Sequence, residues 1–382
     1  SRPGQSSGIT GYLDVPAGKL YYEVAGEGEW LVLVHDGNLH SVTWDEQFPV
    51  FSKTYKVVRY DRRGYGKSTY PEKAYSNIED LAEVFRQLNI DKATVMGMSA
   101  GGGLSIDFAL EHPDKVTGLV LVGAVVSGYG YTEHLRTRGG RLSPEVLSDP
   151  AKLADYMCHK DPYTFYEGNT EAKKRGYEYL MSSLQNYRMD KYQFLKGPRR
   201  SALPNLKEIK VPTLIIVGEY DIPDCHAHAG AIETGIAGST RVIINRAGHI
   251  VPLEQPAVFN ETVLTFLREK KFFEILAQRG VSEAVKAFAD ARQRKGHSLS
   301  FSEQRLNQAG YGYLRSGKVK EAIELFKLNV LAYPDSWNTY DSLAEAYLED
   351  GQKDLAIRNY EKSLALNPGN SNAADQLKKL KK

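Results

Sequence analysis

Short, continuously apolar runs separated by longer mixed segments dominate the first two thirds of the chain. Apolar runs that do not alternate with polar residues are typical of strands buried on both faces of a sheet. They lie at residues 31–34, 57–58, 95–96, 119–122 and 214–217. Two segments between them, residues 78–88 and 104–110, have helical periodicity. The alternation predicts an α/β fold with a mostly parallel sheet flanked by helices.

The start of the chain has a different pattern. Residues 12–15 and 20–24 flank a Pro-Ala-Gly-Lys segment and predict an opening β-hairpin. Residues 1–10 are mostly polar and are expected to form a flexible N-terminus without an initiator methionine. A removed signal peptide would make the protein soluble and exported or periplasmic rather than cytoplasmic, and trimming of the chain is an equal explanation.

The pattern becomes wholly helical after Phe266. Residues 276–291 predict one amphipathic helix, and residues 296–300 predict a short linker. A repeat follows at a period of 34 residues, in which Gly317, Ala322, Phe326 and Pro334 recur as Gly351, Ala356, Tyr360 and Pro368. This spacing resembles that of tetratricopeptide repeats, with units at 303–336 and 337–370 and a closing helix at 372–381.

Two such repeats are fewer than the roughly three needed for an independent solenoid. The all-α domain at residues 270–382 is therefore expected to pack on other parts of the chain or on another subunit. We expect this domain to support a homodimer or to bind a protein partner.

Charge and composition exclude several kinds of partner. A net charge of +2 with interspersed signs provides no basic surface for nucleic acid, and no apolar run approaches the roughly 18 residues of a membrane span. The two cysteines, Cys158 and Cys225, lack metal-ligand spacing, and whether they pair is left open. His226 and His228 would point to different faces of a helix, so no metal site is expected there. No cofactor is implied either.

A serine stands where one predicted strand passes into a helix. Residues 97–101 read Gly-Met-Ser-Ala-Gly, in which only small residues fit a tight turn at Gly97 and Gly101. Such a turn would lift the Ser99 hydroxyl above the strand ends, where ligands bind in open α/β sheets. The alternative is a glycine-rich loop without chemistry.

The other predicted strands also end in polar loops. These loops begin at His35, Asp61, Gly218 and Arg246. Together with the serine turn they resemble the α/β-hydrolase superfamily, and the resemblance covers roughly residues 10–270 in the chain order Ser, Asp, His. It implies a hydrolase domain at residues 11–269, with a helical cap over the active site at about residues 126–203.

The resemblance implies a catalytic triad. Ser99 is the expected nucleophile, His249 the general base, and Asp221 the carboxylate that orients His249. Asp224 is the runner-up for the carboxylate, although its position suits a helix N-cap better. Glu219 is expected to point elsewhere, and His35 is expected to be structural. His40 is near enough in sequence to touch substrate.

The oxyanion of an acyl transfer needs backbone N–H donors. Ala100 follows the nucleophile at a helix start and is expected to supply one of them. The second donor is expected from Gly37, with Asn38 as the alternate, in a loop where Asp36 replaces the usual glycine of the superfamily. Because a carboxylate facing an oxyanion is unfavourable, we expect the Asp36 side chain to point away from the pocket.

These features predict a serine hydrolase that cleaves a small ester or lactone through an acyl-enzyme. A proline-iminopeptidase-like enzyme or a carbon–carbon bond hydrolase would share the triad. A serine nucleophile argues against haloalkane dehalogenases and epoxide hydrolases, which resemble this fold but attack with aspartate. In a further alternative, the hydrolase domain is a non-catalytic scaffold whose helical repeats bind a protein partner.

Overall fold

A computed structural model describes residues 8–294 and 298–382 of the chain. The chain forms two compact units, of which the first ends at Leu264 and the second begins at Thr265. The predicted division at residues 269 and 270 lies five residues later, within the same helix. None of the helices in the described part of the chain has the length and apolar character that crossing a bilayer requires.

The first unit is built on one mixed sheet. Within the described residues its strands are β1 (Ile9–Val15), β2 (Gly18–Ala25), β3 (Trp30–Val34), β4 (Lys56–Tyr60), β5 (Ala93–Met98), β6 (Val116–Val122), β7 (Thr213–Gly218) and β8 (Thr240–Ile244). They are ordered β1-β2-β4-β3-β5-β6-β7-β8. The pairs β1–β2 and β2–β4 are antiparallel, and the remaining pairs are parallel. The predicted hairpin and the mostly parallel sheet are therefore confirmed.

Helices cover both faces of this sheet, as expected for parallel strands that are buried on both sides. The helices of the first unit, within the described residues, are α1 (Phe48–Phe51), α2 (Asn77–Gln87), α3 (Ala100–Glu111), α4 (Glu133–Thr137), α5 (Pro144–Ser148), α6 (Pro150–Asp155), α7 (Thr170–Ser182), α8 (Pro223–Gly235) and α9 (Val251–Glu254), of which α4 to α7 lie in the segment between β6 and β7. Short 3₁₀ segments lie at Ser41–Trp44, Leu184–Tyr187, Met189–Phe194 and Leu203–Glu208, with one π-helical turn at Tyr156–Lys160. Apolar side chains of β3 to β7 pack with those of α2, α3 and α8 in one buried core.

The strand register brings the polar loops together. Val34 of β3 pairs with Tyr60 of β4 and with Gly97 of β5. Farther along the sheet, Met98 pairs with Val122. Because these strands are parallel and end level with one another, the loops that follow them emerge at one edge of the sheet.

The second unit is all-helical. The helix α10 (Pro256–Arg279) leads into α11 (Val281–Gln293), α12 (Glu303–Arg315), α13 (Val319–Ala332), α14 (Trp337–Glu349), α15 (Lys353–Leu366) and α16 (Ser371–Leu380). The bounds of α12 and α13 recur in α14 and α15 at an offset of 34 residues, from 303 to 337 and from 332 to 366. Ala322, Phe326, Ala356 and Tyr360 from the repeated positions are buried in a shared core.

Three expectations need correction or fall partly outside the described residues. The single helix expected at residues 276–291 is two helices, because Gly280 has a φ of 83° that ends α10. The flexible N-terminus expected at residues 1–10 lies outside the described part up to residue 7, and Ile9 and Thr10 belong to β1. The first two residues of the linker expected at residues 296–300 lie outside the described part of the chain.

Candidate active site

Ser99 lies at the junction between β5 and α3 in a strained backbone conformation. Its φ of 54° and ψ of −118° lie in a region that residues with a side chain rarely adopt, at a cost of roughly 1–3 kcal/mol. The Ser99 N–H donates to the Val122 carbonyl over 2.8 Å, and the Ser99 carbonyl accepts from the N–H of Gly103 over 3.0 Å. The end of β6 and the first turn of α3 thus hold the serine in place.

Two glycines make this turn possible, as the sequence predicted. A Cβ atom at Gly97 would overlap the Gly101 carbonyl and the Ser105 hydroxyl. A Cβ atom at Gly101 would overlap the carbonyl groups of Val34 and His35 at the end of β3. The nucleophile turn is therefore packed directly against the loop that follows β3.

His249 and Asp221 form a hydrogen-bonded pair. Nδ1 of His249 lies 2.8 Å from Oδ2 and 2.9 Å from Oδ1 of Asp221. The Asp221 side chain is fully buried, whereas that of His249 is 12% exposed. Burial alone would lower the pKa of His249, but the Asp221 carboxylate and the Cys225 side chain together outweigh it and raise the pKa well above its ordinary value. Asp221 thus fixes the proton on Nδ1, which leaves Nε2 as the basic nitrogen.

Gly123 connects this pair to the serine. It follows Val122, which binds the Ser99 N–H, and it adopts a φ of 49°. A Cβ atom at Gly123 would lie 3.0 Å from Oδ2 of Asp221 and 3.1 Å from Nδ1 of His249. The backbone that anchors Ser99 is therefore in contact with the His249–Asp221 pair one residue later. The structure brings the three predicted residues to one place.

The other acidic residues near Asp221 have different partners. Asp224 accepts hydrogen bonds from the hydroxyl and the N–H of Thr132 and so ties α8 to the segment before α4. The expectation that Asp224 caps α8 is wrong, because Ile222 occupies the N-cap position. Glu219 accepts from the Arg246 N–H and, as expected, takes no part in the pair.

Gly37 and Ala100, the two residues expected to supply the oxyanion donors, are neighbours in space. A Cβ atom at Gly37 would lie 3.8 Å from the Ala100 Cβ and 3.8 Å from the Tyr65 hydroxyl. Ala100 is the first residue of α3, where backbone N–H groups have no partner inside the helix. The backbone of Gly37 and the start of α3 therefore border the same space beside Ser99.

Asp36 explains how the loop around Gly37 is held. Its fully buried carboxylate accepts from the N–H groups of Asn38 at 2.8 Å and Leu39 at 3.0 Å, and from the Thr43 hydroxyl at 2.9 Å. The side chain thus bonds within its own loop, which agrees with the prediction that it points away from the pocket. Because the Asn38 N–H is taken by Asp36, the structure argues against Asn38 as the alternate oxyanion donor.

The nearby histidines have structural partners. His35 is fully buried, its Nδ1 donates to the Asp36 carbonyl at 2.7 Å, and its Nε2 accepts from the Arg62 N–H at 2.9 Å. Burial, reinforced by the charge of Arg62, lowers the pKa of His35 well below its ordinary value. Nδ1 of His40 accepts from the Asn186 side chain at 3.2 Å.

Glu254 is a residue that sequence analysis missed. Oε1 of Glu254 accepts from the N–H groups of Tyr166 at 2.6 Å and Gly248 at 3.0 Å. The His249 N–H in turn donates to the Tyr163 carbonyl at 2.7 Å. Burial raises the pKa of Glu254 to about 7. This carboxylate fixes the backbone just before His249. The only feature of the sequence that could have indicated this role is the position of Glu254 five residues after the histidine.

The position of Cys225 beside His249 was also not predicted, because the two residues are 24 positions apart in the chain. Its Sγ lies 3.7 Å from Nδ1 of His249, and the residue is buried. Both Cys225 and Cys158 are free, so the pairing left open from the sequence does not occur. His228 faces elsewhere and accepts from the Val126 N–H at 3.0 Å.

The segment 184–194 packs onto the turn that follows β4. Lys191 is fully buried, with Nζ 2.5 Å from the Asn186 carbonyl and 3.8 Å from the centre of the Tyr65 ring. The Tyr65 and Tyr192 hydroxyl groups lie 2.8 Å apart. Burial lowers the pKa of Lys191 to about 7. Because the Tyr65 hydroxyl also lies near Gly37, Tyr65 connects this segment to the loop that follows β3.

Known proteins similar to this chain align with about two thirds of its length. A profile of the alpha/beta hydrolase family matches residues 31–262. A putative 2-succinyl-6-hydroxy-2,4-cyclohexadiene-1-carboxylate synthase from Bacillus subtilis (strain 168) is 30% identical over 272 residues, which cover 64% of this chain and 94% of the relative. The 2-hydroxy-6-oxo-6-phenylhexa-2,4-dienoate hydrolase of Comamonas testosteroni is 24% identical over 273 residues, 66% and 92% of the two chains.

Solved structures show the same relationship. The enol-lactonase from Burkholderia xenovorans LB400 is 26% identical and superposes with a TM-score of 0.57. The match covers 68% of this chain and 100% of the lactonase.

Proposed function

Because the chain belongs to the α/β-hydrolase family, we propose that it is a serine hydrolase that cleaves a small ester or lactone through an acyl-enzyme. The observation that carries the proposal is Gly123, which contacts the His249–Asp221 pair directly after the residue that anchors Ser99. The similarity to the enol-lactonase supports the choice of substrate class.

In the first half of the reaction, Ser99 Oγ attacks the carbonyl carbon as Nε2 of His249 takes the hydroxyl proton. Asp221 holds the Nδ1 proton and stabilises the imidazolium that forms. The N–H groups of Gly37 and Ala100 donate to the oxyanion, and the loss of one such donor costs about 10²–10³ in rate. His249 then protonates the leaving alcohol, and water releases the acyl group by the same steps.

A panel of short-chain aryl esters, lactones and amino-acid arylamides tests this proposal. We expect turnover of an ester or a lactone, and we expect Ser99→Ala to lower kcat by about three to six orders of magnitude. Selective turnover of the arylamides would instead identify a proline-iminopeptidase-like enzyme. No turnover by a folded protein would leave the scaffold alternative.

A carbon–carbon bond hydrolase is the second candidate, because the Comamonas testosteroni relative is a hydrolase of 2-hydroxy-6-oxo-6-phenylhexa-2,4-dienoate. Such a reaction uses the same three side chains. Including this compound in the panel separates the two candidates: its turnover with no ester or lactone turnover would replace the first proposal by the second.

For the remainder of the chain, we propose a helical domain at residues 270–382 with tetratricopeptide-like repeats at 303–336 and 337–370. The exact recurrence of the helix bounds supports two repeats. A homodimer or a complex with another protein is the proposed role, and the insertion at residues 126–203 is proposed as the cap.

A further inference from the structure

Three side chains with different donor atoms meet at the inner side of the proposed triad. The Cys225 Sγ lies 3.7 Å from Nδ1 of His249, and the Asp221 carboxylate lies 2.8 Å from the same nitrogen. One donor atom from each residue lies within 4.8 Å of the others. Within residues 8–294 and 298–382, this is the one group of three such side chains found so close together. The hydrolytic mechanism uses Asp221 and His249 but assigns nothing to the thiol.

The donor set matches the preferences of zinc. Zinc binds thiolate sulfur at about 2.3 Å, imidazole nitrogen at about 2.0–2.1 Å and carboxylate oxygen at about 2.0–2.2 Å, in tetrahedral geometry. Those bond lengths place sulfur and nitrogen roughly 3.6 Å apart and nitrogen and oxygen roughly 3.4 Å apart. The sulfur–nitrogen separation is already present in the structure. The nitrogen–oxygen separation requires the carboxylate to move away from the imidazole by about half an ångström.

The charges also match. A thiolate and a carboxylate carry one negative charge each and together neutralise a divalent cation. The site with its bound metal would therefore have no net charge. This matters because Asp221 and Cys225 are buried, and an unbalanced charge there is costly. The partly exposed His249 ring gives the site a side that reaches solvent.

We propose that Asp221, Cys225 and His249 form a Zn²⁺-binding site whose occupation reversibly inhibits the enzyme. The inhibition rests on the function proposed above, whereas the binding does not. Metal on Nδ1 shifts the imidazole proton to Nε2, the nitrogen that must accept the Ser99 proton. The Cys225 thiol proton leaves to solvent as the thiolate binds. The serine is then left without a base.

Inhibition of turnover by Zn²⁺ and Cd²⁺ is the first test. We expect inhibition that EDTA reverses, and we expect Cys225→Ala to raise the half-inhibiting concentration by more than about tenfold. Cys158→Ala is the matched control, since Cys158 is the second buried free cysteine and is outside the group. The proposal is overturned if Cys225→Ala is inhibited at the same concentration as the unchanged protein.

A binding measurement that needs no turnover separates the two proposals. Co²⁺ added to the Ser99→Ala protein is expected to produce a thiolate-to-cobalt charge-transfer band, which disappears when Cys225→Ala is added. Cys225→Ser, with a weakly ligating hydroxyl of similar size, is expected to lose the band too and serves if the alanine variant fails to fold. A missing band, or one that persists without Cys225, contradicts the site whatever the substrate panel shows.

Discussion

Among single residues, Asp36 shows how the hydrogen bonds of a side chain can hold a loop at a position that glycine usually occupies. α/β-Hydrolases usually have glycine at this position. In this chain the buried Asp36 carboxylate accepts three hydrogen bonds from its own loop instead. Those bonds hold the segment that contains Gly37, so the geometry of one proposed oxyanion donor depends on Asp36.

Asp36→Ala is expected to lower both stability and kcat. It leaves two backbone N–H groups and the Thr43 hydroxyl without their acceptor, and each buried unsatisfied group costs about 1–3 kcal/mol. Urea unfolding and steady-state kinetics measure the two effects.

Thr43→Val is the matched control. It removes one of the three bonds and keeps both backbone bonds, so we expect a loss of only about 1 kcal/mol and a nearly unchanged kcat. Equal effects of the two substitutions would show that the carboxylate does not hold the loop.

At the scale of secondary-structure elements, the strands were predictable and the junctions were not. The continuous apolar runs identified β3 to β7, because burial on both faces leaves no polar positions. The break at Gly280 was missed, since a lone glycine within an amphipathic pattern is also tolerated inside a helix.

Parts of the site depend on contacts that no local pattern reveals. Glu254 accepts from Tyr166, 88 residues earlier in the chain. Cys225 meets His249 across 24 residues, and only the packing of α8 against the loop after β8 brings them together. By contrast, Ser99 follows directly on β5, and Asp221 and His249 lie in the loops that follow β7 and β8.

Gly280→Ala is expected to destabilise the protein by roughly 1–3 kcal/mol, because its φ of 83° and ψ of 178° are accessible almost only to glycine. Gly312→Ala is the contrasting change: Gly312 lies inside α12 with open space around its Cβ position. It should stabilise the protein by roughly 0.5–1 kcal/mol. If the thermal unfolding midpoints of the two variants move in the same direction, the proposed difference between these two glycines is refuted.

The 3₁₀ segment Met189–Phe194 carries a second prediction, through the buried Lys191. Burial lowers the pKa of Lys191 to about 7 from an ordinary 10.5. Between these values the unfolded chain binds a proton that the folded chain does not, so this lysine makes stability rise with pH. The rise approaches about 1.4 kcal/mol per pH unit, and Lys191→Met should abolish it.

Urea unfolding at several pH values between 7 and 10 measures this slope. Lys196→Met removes an exposed lysine from the same region and should leave the slope intact. If the unchanged protein and Lys191→Met show the same pH dependence, the burial of this ammonium group has no energetic consequence.

At the scale of the whole molecule, the second unit has cores of its own and also exposes apolar side chains. Phe272 and Phe288 pack with Leu325 in one buried core, and the repeated helices share another. Leu331 is nevertheless 57% exposed. Because Leu331 is the most exposed of the large apolar residues described in this unit, it is the position at which the proposed assembly is tested.

If this unit mediates dimerisation, light scattering should give twice the mass of one chain, and Leu331→Glu should shift the mass towards that of a monomer. Val258→Glu changes an equally exposed apolar residue of the first unit, 53% exposed, and should leave the mass unchanged. A monomeric mass for the unchanged protein would rule out the homodimer and leave a different partner. Removal of residues 297–382 provides a coarser version of the same measurement.

The left-handed backbone conformation at Ser99 also limits which residues could replace serine as the nucleophile. Threonine carries the same hydroxyl group, but a β-branched side chain at a φ of 54° adds steric conflict to an already strained position. Cysteine and aspartate, which are unbranched at Cβ, meet no such barrier. The turn therefore permits a nucleophile with a different reacting group, such as cysteine or aspartate. It disfavours threonine, the residue whose chemistry is closest to that of serine.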